Sequence, residues 1–262
     1  MHALTARPAL APSALFEDTP RRTLGVLAGL LVLCLVLMHA EMVPAWAAGV
    51  AAMVAGHGAL LVTALAWRDA DCPRPWWAAP ALAVPLLAAA ALASVAHPAA
   101  GVVFLVVPVW LWARAPRVRV APRYIAVAAV IGGTLGAHVL LTASLTLGYQ
   151  AVFDVTRTAS WLAYDAGVSV PAAESFFRGA LFDRAYRRWP LPAATALSVS
   201  LGVARYLVDP LLPKTAEMVA GTVFYTGLLG VANCWLFRHT GSVVPGAVGA
   251  VVFFAAYRLV AP

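Results

Sequence analysis

Apolar runs about as long as a bilayer is thick recur along almost the whole chain, and that repetition limits the fold more than any motif does. A spanning helix rises 1.5 Å per residue, so about 20 apolar residues cross the hydrocarbon layer. Nine runs fit this length, at roughly 23–40, 44–67, 76–96, 99–113, 124–147, 168–186, 191–209, 215–237 and 242–260, the fourth of them short. Composition points the same way. With 63% hydrophobic and 11% charged residues and a mean hydropathy of +0.85, 262 residues hold too little polar surface to cover a soluble globule. The expected fold is therefore all-α, a polytopic integral membrane bundle of eight or nine transmembrane helices.

The net charge of +7 invites a nucleic-acid reading, but lysine is almost absent and the arginines sit between apolar runs. That pattern is a topology signal, and no nucleic-acid partner is expected. With the N-terminal tail inside, inner segments hold thirteen cations and outer ones three, Arg157, Lys214 and Arg258. Excess cations mark the cytoplasmic side. The N-terminus is thus expected to be cytoplasmic, and the Ala/Arg/Val bias points to a bacterium, so that the expected location is the cytoplasmic (inner) membrane. Cys34, Cys72 and Cys234 are scattered and fit neither a disulfide framework nor a zinc site.

Three regions follow: a cytoplasmic tail over 1–22, front helices and a basic loop over 23–123, and a core over 124–262. The front reads as an anchoring, lipid-facing module, and the back carries nearly all the intramembrane polarity. Between them in character lies the segment from Tyr149 to Gly167, which mixes aromatic and polar residues and reads as interfacial. A headgroup-level aromatic belt accounts for Trp161 and Tyr164.

The two cations left over, Arg178 and Arg205, fall inside predicted spans. Glu174 precedes Arg178 by four residues, so both project from one helix face. Charges at membrane depth face the bundle interior or a water-filled cavity. Counting from the span edges brings Arg205, on the next helix, to the depth of Glu174, about two turns below the outer edge. The expected cluster of Glu174, Arg178 and Arg205 either pins two helices together or marks a site in a polar cavity open to the outer face.

The stretches "ESFFRGALF", "LSVSLGVARYL" and "AGTVFYTGLLGVANCWLFRHTGSVVPGAVGAVVFF" resemble the CPBP intramembrane protease superfamily, the CAAX-protease and bacteriocin-processing group, over roughly residues 168–260. In that family a glutamate pair, three further residues and Arg-Gly are followed by an FxxxH segment. A Thr-Gly-Ser turn then precedes a helix with a histidine and, four residues on, an asparagine. The resemblance implies catalytic roles for Glu174 and Arg178, the second glutamate and the arginine. The other family positions are replaced: the first glutamate falls on Ala173, the FxxxH histidine on Arg205, and the last histidine and asparagine near Gly249 and Phe253.

Glutamate-type hydrolysis needs a general base, and a carboxylate flanked by two guanidinium groups is a poor one. Arginine can donate to an oxyanion, yet no group evident in the sequence delivers a proton to the leaving group. A serine protease lacks its partner, since the only histidine past Gly167 is His239. No H-E-x-x-H motif occurs, and His39, His57, His97 and His138 are dispersed, so neither a metal nor another cofactor is expected. His138 either hydrogen-bonds between helices or lines the Glu174 cavity.

Three readings remain. In the leading one the chain is a catalytically degenerate relative that binds a partner protein, a protein tail or a lipid in its polar cavity. In the second it is an active, atypical intramembrane peptidase that uses Glu174 on secreted or surface proteins. In the third, its charges line a transporter-like path, against which stands the lack of an inverted repeat. The expected partners are membrane lipids and another membrane protein or its tail.

Overall fold

The computed structural model describes residues 15–69, 78–96, 98–114, 118–146, 148, 155–207 and 215–260, and all the helices and strands among them are helices. Most of the N-terminal tail, the 149–154 part of the interfacial segment, residues 115–117 of the basic loop, Cys72, His97 and Lys214 lie outside the described residues. Four described helices are long and apolar enough to cross a membrane: Arg21–His39, Ala45–Arg68, Pro122–Thr146 and Val219–Thr240. Four shorter apolar stretches, Leu82–Val95, Ala100–Leu111, Leu191–Leu207 and Val244–Leu259, accompany them.

The chain forms two compact units that interleave in sequence. One comprises residues 16–115 and 155–176. Its helices are α1 (Arg21–His39), α2 (Ala45–Asp69), α3 (Ala78–Ala96), α4 (Val106–Arg114), α6 (Val155–Tyr164) and α7 (Val170–Glu174). A 3₁₀ stretch, Pro98–Leu105, runs into α4. Pro108 explains this break in the fourth expected span, because it cannot donate to the carbonyl of Phe104 and so cannot continue an α-ladder from there. Leu61, Leu87, Phe104, Val107 and Val168 form the core of this unit. Leu27 is the one buried residue of α1, which otherwise presents an apolar surface of a kind suited to lipid.

The turn after α1 is a Schellman motif: Glu41 N–H donates to the Met38 carbonyl at 3.0 Å and Met42 N–H to that of Leu37 at 2.8 Å. It places Glu41 at φ +58°, the left-handed region that glycine adopts without steric cost.

The other unit comprises residues 1–15, 116–154 and 177–262. It holds α5 (Pro122–Thr146), α8 (Asp183–Tyr186), α9 (Leu191–Leu207), α10 (Ala216–Thr240) and α11 (Val244–Val260). Tyr124 meets Trp235, while His138, further along α5, meets Tyr225, nearer the start of α10. These helices are antiparallel. Ser198 and Cys234, with Val199 and Gly230, show the same relation between α9 and α10. α5 and α11 run parallel and touch backbone to backbone. A Cβ at Gly132 would collide with the Gly249 carbonyl, one at Gly136 would lie 2.6 Å from Ala256 Cβ, and one at Gly249 would lie 2.8 Å from the Ala128 carbonyl oxygen. Small residues allow this approach, which in a membrane gives packing where lipid removes the hydrophobic drive.

Three substitutions test the seam and the turn. Gly132→Leu should lower the detergent-solubilised protein's Tm sharply, since overpacking costs about 1–3 kcal/mol and here the obstruction is backbone. Leu141→Ala, on an exposed part of the same helix, should stay within about 0.5 kcal/mol of wild type in the same melt. Glu41→Gly should stabilise by about 1 kcal/mol by removing the left-handed strain, and an unchanged or lower Tm would contradict that assignment.

Candidate functional site

Residues 155 to 186 form one unbroken helical run, in which α6, α7 and α8 are joined by two widened π segments, Asp165–Ser169 and Ser175–Phe182. The predicted helix starts at 168, but the structure starts it at 155 and so absorbs the described part of the interfacial segment. Pro171 explains the first widening. It cannot donate to the carbonyl of Gly167, so an α-ladder there would break, and the widened turn just before it accommodates the mismatch. Gly167 allows a close crossing in its own unit, since a Cβ there would lie 2.5 Å from the Phe104 backbone.

Six polar side chains of this run are buried: Asp165, Ser169, Glu174, Arg178, Asp183 and Arg184. Such burial of charge confirms that Glu174 and Arg178 face away from lipid. The sequence treats the two as one motif, yet the compact units divide the run between Phe176 and Phe177. On the α7 side, Phe176 packs on Trp67 of α2 at 5.6 Å between ring centroids. Ala173 is buried there too.

Past Phe177 the contacts are with α9 and α10. Ser198, fully buried, donates to the Phe177 carbonyl at 2.7 Å, satisfying a backbone acceptor of the widened segment. The Arg178 guanidinium lies where α9 and α10 each present a glycine. A Cβ on Gly202 would stand 3.7 Å from Nη1, and one on Gly230 only 2.7 Å from Nη2. Two glycines on separate helices thus make the seat for one arginine, a role the sequence reading did not assign them. Further along, Asp183 forms an ion pair with Arg187 one turn on, and Arg184 donates to the Leu15 carbonyl at 3.4 Å.

Arg205, expected beside Glu174, is half-buried with its guanidinium over the neighbouring Tyr206 ring, 4.8 Å from the centroid. Gly249 belongs to the α5–α11 seam. Phe253 is buried among Tyr225, Phe254 and Tyr257, with ring centroids 6.1, 5.2 and 6.2 Å away. His138 Nδ1 lies 2.6 Å from the Tyr225 hydroxyl and 3.2 Å from Thr142 Oγ1, which makes it an interhelical hydrogen-bonding histidine.

Asp165, Asn233 and His57 are among the buried polar groups that sequence reasoning missed. Asp165 was hidden by the aromatic residues around it, although an acid so close to an apolar span is itself a signal. Asn233 donates through Nδ2 to the Gly246 carbonyl at 3.2 Å, tying α10 to the first turn of α11. His57 spans from the Met53 carbonyl, 3.0 Å from Nδ1, to the Tyr164 hydroxyl, 3.2 Å from Nε2. Because a carbonyl only accepts, Nδ1 carries the proton and Nε2 receives the tyrosine's. No sequence spacing links residues 107 apart.

Chemically, the described groups at the motif supply buried donors and the Glu174 carboxylate. No curated protein and no solved structure matches the chain. Residues 156–255 match the family model described as type II CAAX prenyl endopeptidase Rce1-like, within the superfamily that the motif residues resemble. The chain thus has helices long and apolar enough to cross a membrane, and its 156–255 segment is similar to the CAAX-protease family.

Proposed function

We propose that this protein has lost the family's peptidase chemistry and uses the retained helical frame to bind a segment of another membrane protein within the bilayer. One observation carries the reading: Gly249 and Phe253, near which the resemblance puts the family's last histidine and asparagine, are both committed to packing. Gly249 touches the α5 backbone, and Phe253 is buried in an aromatic cluster. A histidine at 249 has no room unless α5 moves. Hydrolysis requires a group that accepts a proton from water and one that returns it to the leaving amine, and neither position supplies it. Arg178 keeps a structural duty, filling the space between Gly202 and Gly230, which explains its retention without turnover.

The proposed setting is the bacterial inner membrane with the N-terminus in the cytoplasm. The arginine distribution supports it, as does the placement of Arg119 and Arg123 with Arg238 at one end of the antiparallel pair α5 and α10. A reporter inserted after Gly148 should then report the outer side, and cytoplasmic activity there would reverse the orientation.

The central test compares a deletion strain complemented with wild type or Glu174→Gln, after checking that both accumulate in membranes. Termini of secreted and surface proteins should be the same in every strain, while a membrane protein that co-purifies with wild type should lose its assembly on deletion. Cleavage that stops in Glu174→Gln at normal abundance would instead establish a peptidase. Gly230→Ala should weaken the fold, because its methyl group meets Nη2 of Arg178. Pairing it with Arg178→Met should restore part of the lost Tm, since a flexible uncharged chain can yield. If the double variant is no better than the sum of the singles, the seat is wrongly assigned.

A further inference from the structure

We propose that His138 and Tyr225 form a recognition site for a backbone carbonyl of a polypeptide segment bound inside the membrane. This rests on the partner-binding reading above and names the chemistry by which the partner is held. The two residues face each other from α5 and α10, with ring centroids 5.7 Å apart. Nδ1 lies 2.6 Å from the phenol oxygen, within the range of a strong hydrogen bond. The phenol O–H has two acceptors in reach, Nδ1 at 2.6 Å and Thr142 Oγ1 at 3.5 Å, and the nearer one takes it, so Tyr225 donates and Nδ1 accepts. The ring's single proton is then on Nε2, because the bond made by one nitrogen sets the tautomer of the other. Thr142 Oγ1, 3.2 Å from Nδ1, lies on the same side of the ring and leaves Nε2 clear.

The imidazole is exposed, and its neighbours are apolar: Leu141 and Leu145 on α5 and Phe224 and Leu228 on α10 are exposed as well. α5 has 25 residues, so it spans about 37 Å, longer than the hydrocarbon layer of about 30 Å. His138 is eight residues from the end of α5 at Thr146, about 12 Å along the axis. Its N–H therefore sits several ångströms inside the hydrocarbon, below the lipid ester groups. A donor at that depth in an apolar surface is costly unless an acceptor meets it. A neutral donor favours a neutral acceptor, since a carboxylate would bring its own desolvation cost. The acceptors that reach this depth on an apolar carrier are peptide carbonyls, presented where a bound segment is extended or its helix unwound.

The test uses full-length protein in nanodiscs with ¹⁵N-labelled histidine and acetyl-trileucine amide, whose polar groups are all backbone amides. The free protein should show His138 protonated at Nε2, and the peptide should shift that nitrogen's resonance. His138→Phe should weaken peptide binding about tenfold, the size of one intramembrane hydrogen bond. Tyr225→Phe should weaken it less while mixing the tautomers, and Val130→Ala, exposed elsewhere on α5, should leave it unchanged. Thermal melts establish that each variant is folded. A proton on Nδ1, equal affinity in His138→Phe, a response to lipid composition alone, or no peptide binding would each overturn the site. A partner that co-purifies equally with wild type and His138→Phe would sink this site and leave the proposed function standing. If no partner accompanies wild type, the proposed function itself fails.

Discussion

Hydrocarbon cannot hydrogen-bond, and most of this molecule can be understood as a response to that. An apolar chain can cross a bilayer only if its backbone groups pair within their own segment, so the described spans are helical. Each irregularity then needs a local remedy. The widened segment at Ser175–Phe182 leaves the Phe177 carbonyl to be met by Ser198, and the first turn of α11 has the Gly246 carbonyl met by Asn233. Neither polar residue faces lipid, and each joins two helices.

The same constraint changes what holds helices together. Lipid tails compete with leucine on equal terms, so close contact and buried polar pairs must supply the preference. α5 and α11 approach through Gly132, Gly136 and Gly249 until their backbones touch, and α9 and α10 close around the Arg178 guanidinium through Gly202 and Gly230. Glycine here provides space rather than unusual dihedrals. A position used for backbone contact has no room for a side chain as large as an imidazole.

Buried charge in the run from 155 to 186 has a double meaning. Glu174 and Arg178 look like parts of an active site when read as a motif. Packed into the structure, Arg178 occupies a seat shaped for it, and Ser198 secures the backbone beside it. The similarity over 156–255 is compatible with both, since it concerns the segment as a whole and not the chemistry of each position.

By itself the sequence determined that the chain is an all-helical membrane protein, because length and hydropathy of a span are local properties that neighbours do not alter. It also located Glu174 and Arg178 away from lipid, since the cost of exposing charge holds in any bundle. The resemblance was legible from short motifs for the same reason. Helix 155–186 was not, because its start lies among polar and aromatic residues and its widened turns answer to Pro171 and to contacts with other elements. Only the tertiary structure decided that Gly249 is a packing contact, that Gly202 and Gly230 seat an arginine, and that His57 and His138 each bond a tyrosine far away in sequence. Those outcomes depend on which helix faces meet and at what distance, and no spacing along one chain carries that information.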